Sequence, residues 1–376
     1  MNYKQLAKRF ILSFPAFQEK YKNKLISIKH IERYEDQVAN LEEAEKVLFE
    51  ETLGKDIGLI GLVKDAVFEY DETYISPRSY YPKYERFLNN NGLQYEYYDI
   101  YSSDWLERAS NFDYIIWHTA SDPVTQEIAQ NKIYILDKIL GKKCLPSFDE
   151  IWSYENKINA HYLFKSKDLP EIPTYVSHSK SDTVAYLNSI KFPIISKLST
   201  GSASFGVEKL DSKEEALKLV NSIFSFKGRG TYFPSIRQKD YVYFQSFVED
   251  ATFDLRIITV DNKAFGYYRF PNKGDFRASG AGNYEKTEIP AEALDLAFKV
   301  RACFGSTCLA TDLLYSKKYN KYFIIESSIF IGIDTCSQLE INGEAGYYER
   351  LGEGLYEFRR GKYWIQELTL LEFFKK

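Results

Sequence analysis

The sequence predicts a small α/β unit followed by a larger α+β unit of two lobes, with a helical extension at the N-terminus. Between residues 57 and 117, short apolar strand patterns alternate with helical patterns, which is typical of a small unit built on a mostly parallel sheet. From Tyr241 onward the patterns are rich in strands that pair as hairpins. A length of 376 residues favours two or three domains. The expected limits are a helical extension at 1–56, the α/β domain at 57–145 and the two-lobed domain at 146–376, with lobes of about 146–244 and 245–376.

The composition is that of an ordinary folded chain, with 44% hydrophobic and 27% charged residues. A net charge of −4 and a pI near 5.8 give no electrostatic case for nucleic acid. No apolar run approaches the roughly 20 residues that span a bilayer, and the basic start lacks a signal-peptide cleavage site. The four cysteines form no CxxC pair and fit free thiols in a reducing compartment. We therefore expect a cytoplasmic protein without nucleic-acid or membrane partners.

The elements of the first part follow from periodicity. Residues 1 to about 55 are predicted to be helical, because apolar residues recur at helical spacing between Asp36 and Thr52. A turn-rich loop separates the first strand from the helix after it, and Asn91-Gly92 ends that helix. The predicted strands are Ile57–Val63, Gln94–Ile100 and Tyr114–Trp117, and the predicted helix is Tyr81–Leu88.

The second part begins after Pro146 and Ser147, which mark the predicted boundary. Ser212 and Glu215 form a predicted capping box at the start of a helix, and Pro290 opens another helix. The remaining predicted elements are a helix at Tyr154–Phe164 and strands at Pro193–Lys197, Val207–Leu210, Val242–Val248, Asp254–Val260, Lys263–Phe270, Leu309–Tyr315 and Tyr322–Glu326.

One predicted hairpin places charged residues on a single face. Its turn falls at Asp261-Asn262, a pair that tolerates the left-handed backbone of a tight turn. That turn sets Asp254 opposite Arg269, and the alternation of side chains directs Arg256 to the same face as Asp254. The alternative interpretation is a cross-strand salt bridge on a solvated face.

A second predicted hairpin turns around Lys317–Asn320 and, with a centre at Tyr319, sets Asp312 opposite Glu326. Two carboxylates directly across a ladder repel each other, and both lie within apolar strands. A Mg²⁺ ion would relieve both problems, because it takes one or two carboxylates and leaves other positions to phosphate oxygens and water. The alternatives are a register error of one residue, or a carboxylate bonded to backbone amides.

A loop rich in serine and glycine lies between two predicted strands, at residues 199–206. Lys197 ends the strand before it, and small residues such as Gly201 and Ser202 allow backbone amides to converge on a phosphate. The loop is not of the Walker A type, because Lys197 precedes the glycines.

Taken in order, these segments resemble the ATP-grasp superfamily, and most closely its RimK-like branch of carboxylate–amine ligases. The resemblance covers residues 113–330 closely and 57–112 loosely. It implies a pre-ATP-grasp α/β domain followed by a two-lobed ATP-grasp domain. The motifs are Lys157, Lys197 with the Gly/Ser loop, Gln245-Ser-Phe247-Val248, Asp254-Leu-Arg256, Gly274-Asp-Phe-Arg277, Asp312-Leu-Leu and Glu326-Ser-Ser328.

The resemblance also implies roles for the nucleotide-binding residues. Lys157 and Lys197 would reach the phosphates of ATP, together with the loop at Gly201 and Ser202. The segment from Gln245 through Phe247 to Val248 would be the hinge whose backbone reads adenine. Asp254 would lie near the ribose hydroxyls.

The catalytic and metal-binding roles follow in the same way. Arg269 and Arg277 would hold the γ-phosphate and the acyl phosphate, and Arg256 belongs with them through its position on the first hairpin. Asp312, Glu326 and Ser328 would be ligands of Mg²⁺, with two ions expected. Here the chain departs from the family pattern, since it has Glu-Ser-Ser where Glu-x-Asn is usual, and Ser279 stands where Asn is common.

The implied activity is ATP-dependent amide formation between a small-molecule carboxylate and an amine, through an acyl phosphate. The segment DFRASGAG and the aromatic segment Gly346-Tyr-Tyr348 resemble those of ATP-grasp proteins from bacterial surface-polysaccharide loci, and that resemblance implies a sugar acid joined to an amino acid. The acceptor would bind near the residues that follow the first and third strands, namely Arg78, Ser79, His118 and Ser121. The alternatives are a peptide-modifying or amino-acid ligase, an ATP-grasp kinase and a nucleotide-binding scaffold without turnover. The sequence leaves the oligomeric state open.

Overall fold

The computed structural model describes residues 41–49, 57–64, 80–201, 206–231, 236–331 and 335–376. Its α-helices are α1 (Tyr81–Asn90), α2 (Trp105–Arg108), α3 (Pro123–Ile133), α4 (Phe148–Ser153), α5 (Lys157–Ser166), α6 (Lys180–Leu187), α7 (Lys213–Ile223), α8 (Ala291–Phe304) and α9 (Ile365–Lys375). The strands of the first half are β1 (Ile60–Val63), β2 (Tyr95–Tyr97), β3 (Tyr114–Trp117), β4 (Lys143–Leu145), β5 (Thr174–Ser177), β6 (Ile194–Ser196), β7 (Glu208–Leu210), β8 (Arg229–Gly230) and β9 (Arg237–Gln238). Those of the second half are β10 (Val242–Ser246), β11 (Asp254–Val260), β12 (Lys263–Phe270), β13 (Asn283–Glu285), β14 (Cys308–Ser316), β15 (Lys321–Ser328), β16 (Leu339–Ile341), β17 (Glu344–Gly352) and β18 (Leu355–Arg360).

The first four strands form a parallel sheet in the order β2-β1-β3-β4. All four residues of β1 are buried, as expected of a strand inside a parallel sheet that is covered on both faces. The strand Tyr114–Trp117 has the predicted limits, while the other two are shorter than predicted. Because the strands are parallel, their carboxyl ends share one edge, where His118 follows β3.

A smaller antiparallel sheet follows, in the order β5-β10-β6-β7. Helices α6 and α7 supply apolar residues to its core, with Val220 and Ile223 fully buried. Ser212 caps α7 as predicted, by accepting a hydrogen bond from the backbone N–H of Glu215, but the Glu215 side chain accepts from the backbone N–H of Asp211, so only half of the predicted capping box is formed. Strand β10 leads directly into the third sheet.

The third sheet is antiparallel, with the main order β15-β14-β11-β12-β17-β16; β13 pairs with β12 and β18 pairs with β17. Helix α8 packs on β11 and β14. The C-terminal helix α9 packs against β11 and also against α1 of the first sheet's layer, and its buried Glu367 accepts a hydrogen bond of 2.5 Å from Arg86 Nη1 on α1. The predicted fold class, a parallel α/β unit followed by antiparallel sheets, is confirmed.

The helix predicted around residues 36–52 is not formed over residues 44–49. The described segment begins with a short 3-10 turn at Leu41–Glu43 and then runs without helix. Its backbone bonds to distant groups instead: Glu45 N–H donates to Lys362 O, and Phe49 N–H donates to the Asn91 side chain. Tertiary hydrogen bonds therefore override the helical periodicity here. The rest of the predicted extension lies outside the described residues.

Within the described residues, no helix has the length and apolarity needed to cross a membrane. All four cysteines are free thiols, as predicted, with Cys303 half-buried and the others buried.

Candidate active site

The hairpin of β11 and β12 has the predicted register. Asp254 lies opposite Arg269, and the turn falls at Asp261, whose φ of 50° is left-handed. The charged face is not solvated, because Asp254 and Arg269 are both buried. Arg269 Nε donates a hydrogen bond to Asp254 Oδ1.

Strand β14 pairs with the other edge of β11 and sets Asp312 opposite Arg256. Arg256 donates two hydrogen bonds to Asp312, from Nε at 2.7 Å and from Nη2 at 2.8 Å. Arg269 Nη2 donates a third, at 2.7 Å. With Asp254, these side chains form a buried network of two carboxylates and two guanidiniums, which we call the charge quartet.

The pKa values of the two acids of the quartet are shifted in opposite directions. Burial alone would raise the pKa of Asp312, but Arg256 and Arg269 outweigh it and hold the pKa well below its usual range. Burial raises the pKa of Asp254 to about 6, although Arg269 opposes the shift. Asp312 is therefore the acid of the quartet that holds its negative charge more strongly.

Asp312 also lies opposite Glu326 on β15, as predicted, but the predicted centre of the hairpin was wrong. Next to the turn, Leu313 pairs with Ile324, so the register there is one residue away from the predicted one. A β-bulge then leaves Ile325 unpaired and restores the predicted pair of Asp312 and Glu326. The carboxylate of Glu326 is 32% exposed and lies 3.0 Å from Lys157 Nζ.

Lys157 joins the strands to the Ser/Gly loop. It is the first residue of α5, and its Nζ donates to Gly201 O at 2.6 Å while its backbone N–H donates to Ser199 O at 2.7 Å. Burial opposes the charged ammonium, but Glu326 and then Glu155 raise the pKa of Lys157 overall. Tyr241, the residue before β10, also holds the loop. Its hydroxyl oxygen lies 3.0 Å from both the backbone N and the Oγ of Ser199.

Lys197 behaves differently from the other cations. Its residue is only 7% exposed, and among the described residues its ammonium has no hydrogen bond or ion pair. Burial lowers the pKa of Lys197 to about 8, while Glu326 opposes the shift and Lys157 adds to it. A buried cation of this kind is suited to an anionic ligand.

The predicted hinge residues connect the two antiparallel sheets. Gln245 is buried in β10 and donates to Thr174 Oγ1 at 3.0 Å and to Tyr243 Oη at 3.1 Å. The ring of Phe247 meets the ring of Phe276 edge to face at 5.8 Å. Val248 O accepts a hydrogen bond from Ala251 N–H. The side chain of Gln245 is thus committed to the sheet, and the assignment of adenine to this backbone stays a prediction.

The structure does not bring Arg277 to the charge quartet. Arg277 lies in the loop between β12 and β13, and its side chain is 41% exposed. It is paired within the loop, with Nη2 2.7 Å from Asp275 Oδ2 and Nε 3.0 Å from Asp275 Oδ1. A carboxylate of its own loop therefore holds Arg277 in this structure, and its predicted contact with the γ-phosphate stays a prediction.

Ser328, the third predicted metal ligand, makes only local hydrogen bonds. Ser328 Oγ donates to Phe330 O at 2.8 Å and accepts from Phe330 N–H at 3.3 Å, so its oxygen is engaged in a local turn. Ser202 lies outside the described residues, as do Arg78 and Ser79. His118, another predicted acceptor residue, stacks on Tyr80 with the ring centres 3.8 Å apart.

Glu155 is a site residue that the sequence analysis missed. It lies between α4 and α5, two residues before Lys157, and its pKa responds to the charges of Lys157, Glu326, Arg256 and Asp312. The only sequence signal was an acidic residue next to a predicted nucleotide-binding lysine, which has no meaning until the fold places it.

Within the described parts of the chain, no group of three or more acidic, His or Cys side chains is arranged to hold a metal ion. The predicted pair Asp312 and Glu326 does supply the hard carboxylate oxygens that Mg²⁺ takes together with phosphate and water. The pair therefore fits Mg²⁺ by donor chemistry, and the engaged hydroxyl of Ser328 does not add to it.

The profile of the RimK-like ATP-grasp domain matches residues 154–345. The α-aminoadipate–LysW ligase LysX of Saccharolobus solfataricus is 25% identical over 232 residues, which cover 60% of this chain and 80% of that protein. The enzyme of the same name from Sulfurisphaera tokodaii is 24% identical over 225 residues, 58% of this chain and 73% of that protein. A RimK domain ATP-grasp protein of Sphaerobacter thermophilus aligns with a TM-score of 0.47 and 13% identity, covering 72% of this chain and 90% of that one. The family match spans about half of the 376 residues and includes the charge quartet, Lys157, Lys197 and Glu326. The chain therefore belongs to the RimK-like ATP-grasp family and is an ATP-grasp ligase that forms a C–N bond and releases ADP.

Proposed function

We propose that this ligase activates a substrate carboxylate as an acyl phosphate and then joins it to an amine. The observation that carries the proposal is the buried ammonium of Lys197, which has no partner among the described residues while the neighbouring cations are paired. It lies one residue after β6 and two before Ser199, where the loop that would cradle a phosphate begins. A nucleotide phosphate supplies the missing negative charge.

The proposed reaction has two steps. An oxygen of the substrate carboxylate attacks the γ-phosphorus of ATP, and the bond from that phosphorus to the β–γ bridging oxygen breaks to release ADP. The amine then attacks the acyl carbon, the C–O bond to phosphate breaks, and the amine loses a proton as the amide forms. The carboxylate needs this activation because it is a poor electrophile at neutral pH.

The protein's part is to position the reactants and to neutralise charge. Lys197, Lys157 and the loop at Gly201 would hold the phosphates. Arg277 would reach the transferring phosphoryl group after leaving Asp275. Arg256 and Arg269 contribute from the quartet, where they fix the orientation of Asp312.

Asp312 and Glu326 would hold Mg²⁺, and two ions stay our expectation. The ion would supply neutralisation of negative charge on the phosphate oxygens. The partly exposed carboxylate of Glu326 has the freer access, since Asp312 directs both of its oxygens to arginines. The backbone of Gln245–Val248 would bind adenine, and Asp254 would release its bond to Arg269 if it contacts the ribose.

The amine substrate proposed here is an amino acid, and the named relatives support it, since both are α-aminoadipate–LysW ligases. A sugar acid as the carboxylate, and a role in polysaccharide biosynthesis, stay predictions that depend on the sequence resemblance. The same names leave open which partner supplies the carboxylate, and a peptide-modifying or amino-acid ligase stays the second candidate. The domain limits near residues 56 and 145 and a cytoplasmic location also remain proposals.

An isotope experiment tests the mechanism. Carboxylates labelled with ¹⁸O, among them L-glutamate and glucuronate, are incubated with MgATP and hydroxylamine, and the phosphate is analysed by mass spectrometry. We expect one labelled oxygen in the phosphate, because that atom bridges carbon and phosphorus in the intermediate. Unlabelled phosphate beside hydroxamate would contradict the acyl phosphate. Hydroxylamine phosphate or a phosphorylated sugar would instead indicate a kinase.

A further inference from the structure

Glu155 has a strained backbone conformation two residues before Lys157. Its φ of 51° places an ordinary residue in the left-handed region, between the end of α4 and Asn156, which caps α5. Such backbone strain persists only where the surrounding structure holds it, and it is frequent at functional sites.

The carboxylate of Glu155 lacks a partner. Its Oε2 atom is buried and accepts no hydrogen bond within the described residues, and no Lys, Arg or His nitrogen of those residues lies within ion-pair distance. Burial raises the pKa of Glu155 to about 7, although Lys157 opposes the shift, so the nearby cations do not compensate the charge fully. An uncompensated buried carboxylate costs folding free energy.

The other charges of the site form closed pairs. Arg256 and Arg269 are satisfied by the two acids of the charge quartet, and Lys157 pairs with Glu326. Among the described residues, one cation and one anion of the site are left over: Lys197 and Glu155. The proposed reaction brings two anionic reactants, the nucleotide and the substrate carboxylate, and one organic cation, the amine in its ammonium form.

The surroundings of Glu155 place it towards the first domain. The preceding residue, Tyr154, is buried and packs edge-on against Phe330 at 5.0 Å, and Phe330 contacts His118 at the carboxyl edge of the parallel sheet. Burial, then Glu155 and last Asp122, which caps α3, raise the pKa of Tyr154. Lys197 belongs to the small antiparallel sheet instead. The two unpaired charges therefore border different sides of the site.

We propose that Glu155 binds the ammonium group of the amine substrate, before that group loses one proton to water and its nitrogen attacks the acyl carbon. The inference deepens the proposed function and rests on it. A phosphate is excluded as the partner by like charge, since Glu326 and Asp312 already add negative charge here. The Mg²⁺ expected in the site is assigned above to Asp312 and Glu326, which face each other across the β14–β15 ladder. An ammonium brings both the positive charge and the hydrogen-bond donors that Oε2 lacks.

The test compares a charged with an uncharged amine. Hydroxylamine is uncharged at neutral pH, whereas α-aminoadipate and other amino acids present an ammonium. Wild type, Glu155→Gln, Glu155→Asp and the control Glu127→Gln, which changes an exposed residue on α3, are assayed with MgATP and the carboxylates named above. Amide or hydroxamate formation and ADP release are measured, and the melting temperature of each variant is recorded.

We expect Glu155→Gln to lower kcat/KM for the ammonium amine by about tenfold to a hundredfold, the value of a charge-assisted hydrogen bond. Hydroxamate formation should fall at least ten times less, Glu155→Asp should recover part of the loss, and Glu127→Gln should match wild type. The melting temperature of Glu155→Gln should not fall, because an unpaired buried charge is removed.

Equal losses with both amines, or no loss with either, would overturn the role of Glu155 while leaving the proposed function in place. A lower melting temperature with equal losses would assign Glu155 to structure. A wild-type protein that forms neither hydroxamate nor amide would overturn the proposed function, and the role of Glu155 with it.

Discussion

Asp312 lies directly opposite Glu326 across the β14–β15 ladder, yet the two carboxylates are neutralised by different cations. Asp312 is bound by Arg256 and Arg269, and Glu326 by Lys157. Repulsion between facing carboxylates is therefore relieved by the protein itself before any ligand binds. The consequence is that the two acids make different contributions to stability.

Asp312→Asn should lower the free energy of unfolding by about 3 kcal/mol, because it leaves two mostly buried guanidiniums without their acid. Glu326→Gln should cost about 1 kcal/mol or less, since its side chain is 32% exposed and has one cation. Urea unfolding without nucleotide, followed by circular dichroism, measures both. Equal costs would mean that the quartet does not neutralise Asp312 as the structure has it.

The two lysines of the site should also respond in opposite ways. Lys197→Met removes a buried cation that has no partner among the described residues, so the melting temperature should stay or rise, while stabilisation by MgADP is lost. Lys157→Met removes the partner of Glu326 and the donor to Gly201, so its melting temperature should fall even without nucleotide. Thermal shift with and without MgADP separates the two. An unchanged MgADP shift in Lys197→Met would remove Lys197 from the nucleotide site.

The pH dependence of stability should identify Glu155. Its pKa is raised from 4.5 to about 7 in the folded protein, so between these values the folded state binds more protons than the unfolded chain. The contribution of Glu155 to stability is therefore present below pH 4.5 and is lost as the pH rises through about 7. Glu155→Gln lacks this loss, and its melting temperature relative to wild type should climb across that window. A difference that is constant with pH would show that Glu155 is compensated.

Local sequence patterns were sufficient to predict much of the fold and part of the candidate site. The turn at Asp261-Asn262 and the alternation of side chains were sufficient to predict that Asp254 faces Arg269. Nothing local indicates that β11 lies between β12 and β14, and that arrangement alone brings Arg256 to Asp312. Strand neighbours far apart in sequence are chosen by packing of the whole sheet.

Two other features depended on tertiary contacts. The bulge at Ile325 cannot be read from alternation, because it interrupts the alternation, and the predicted Asp312–Glu326 pair was right through a wrong centre. Glu155 could not be identified at all, since its importance comes from what surrounds it after folding. The C-terminal elements β16, β18 and α9 carry no motif, and α9 is buried because it bridges β11 and α1.

The last prediction concerns Arg277, the arginine that the structure holds away from the quartet. Because Arg277 is 41% exposed and bonds to Asp275 within its own loop, Arg277→Ala should leave stability within about 0.5 kcal/mol of wild type. Arg269→Ala cannot serve the same purpose, since it would leave Asp254 and Asp312 short of a buried partner.

If Arg277 contacts the phosphoryl group mainly during transfer, Arg277→Ala should keep its MgADP thermal shift and lose about a hundredfold in hydroxamate formation. Arg359→Ala, which removes another part-exposed arginine on β18, is the matched control and should keep full activity. Wild-type turnover in Arg277→Ala would mean that this loop does not reach the reacting phosphate.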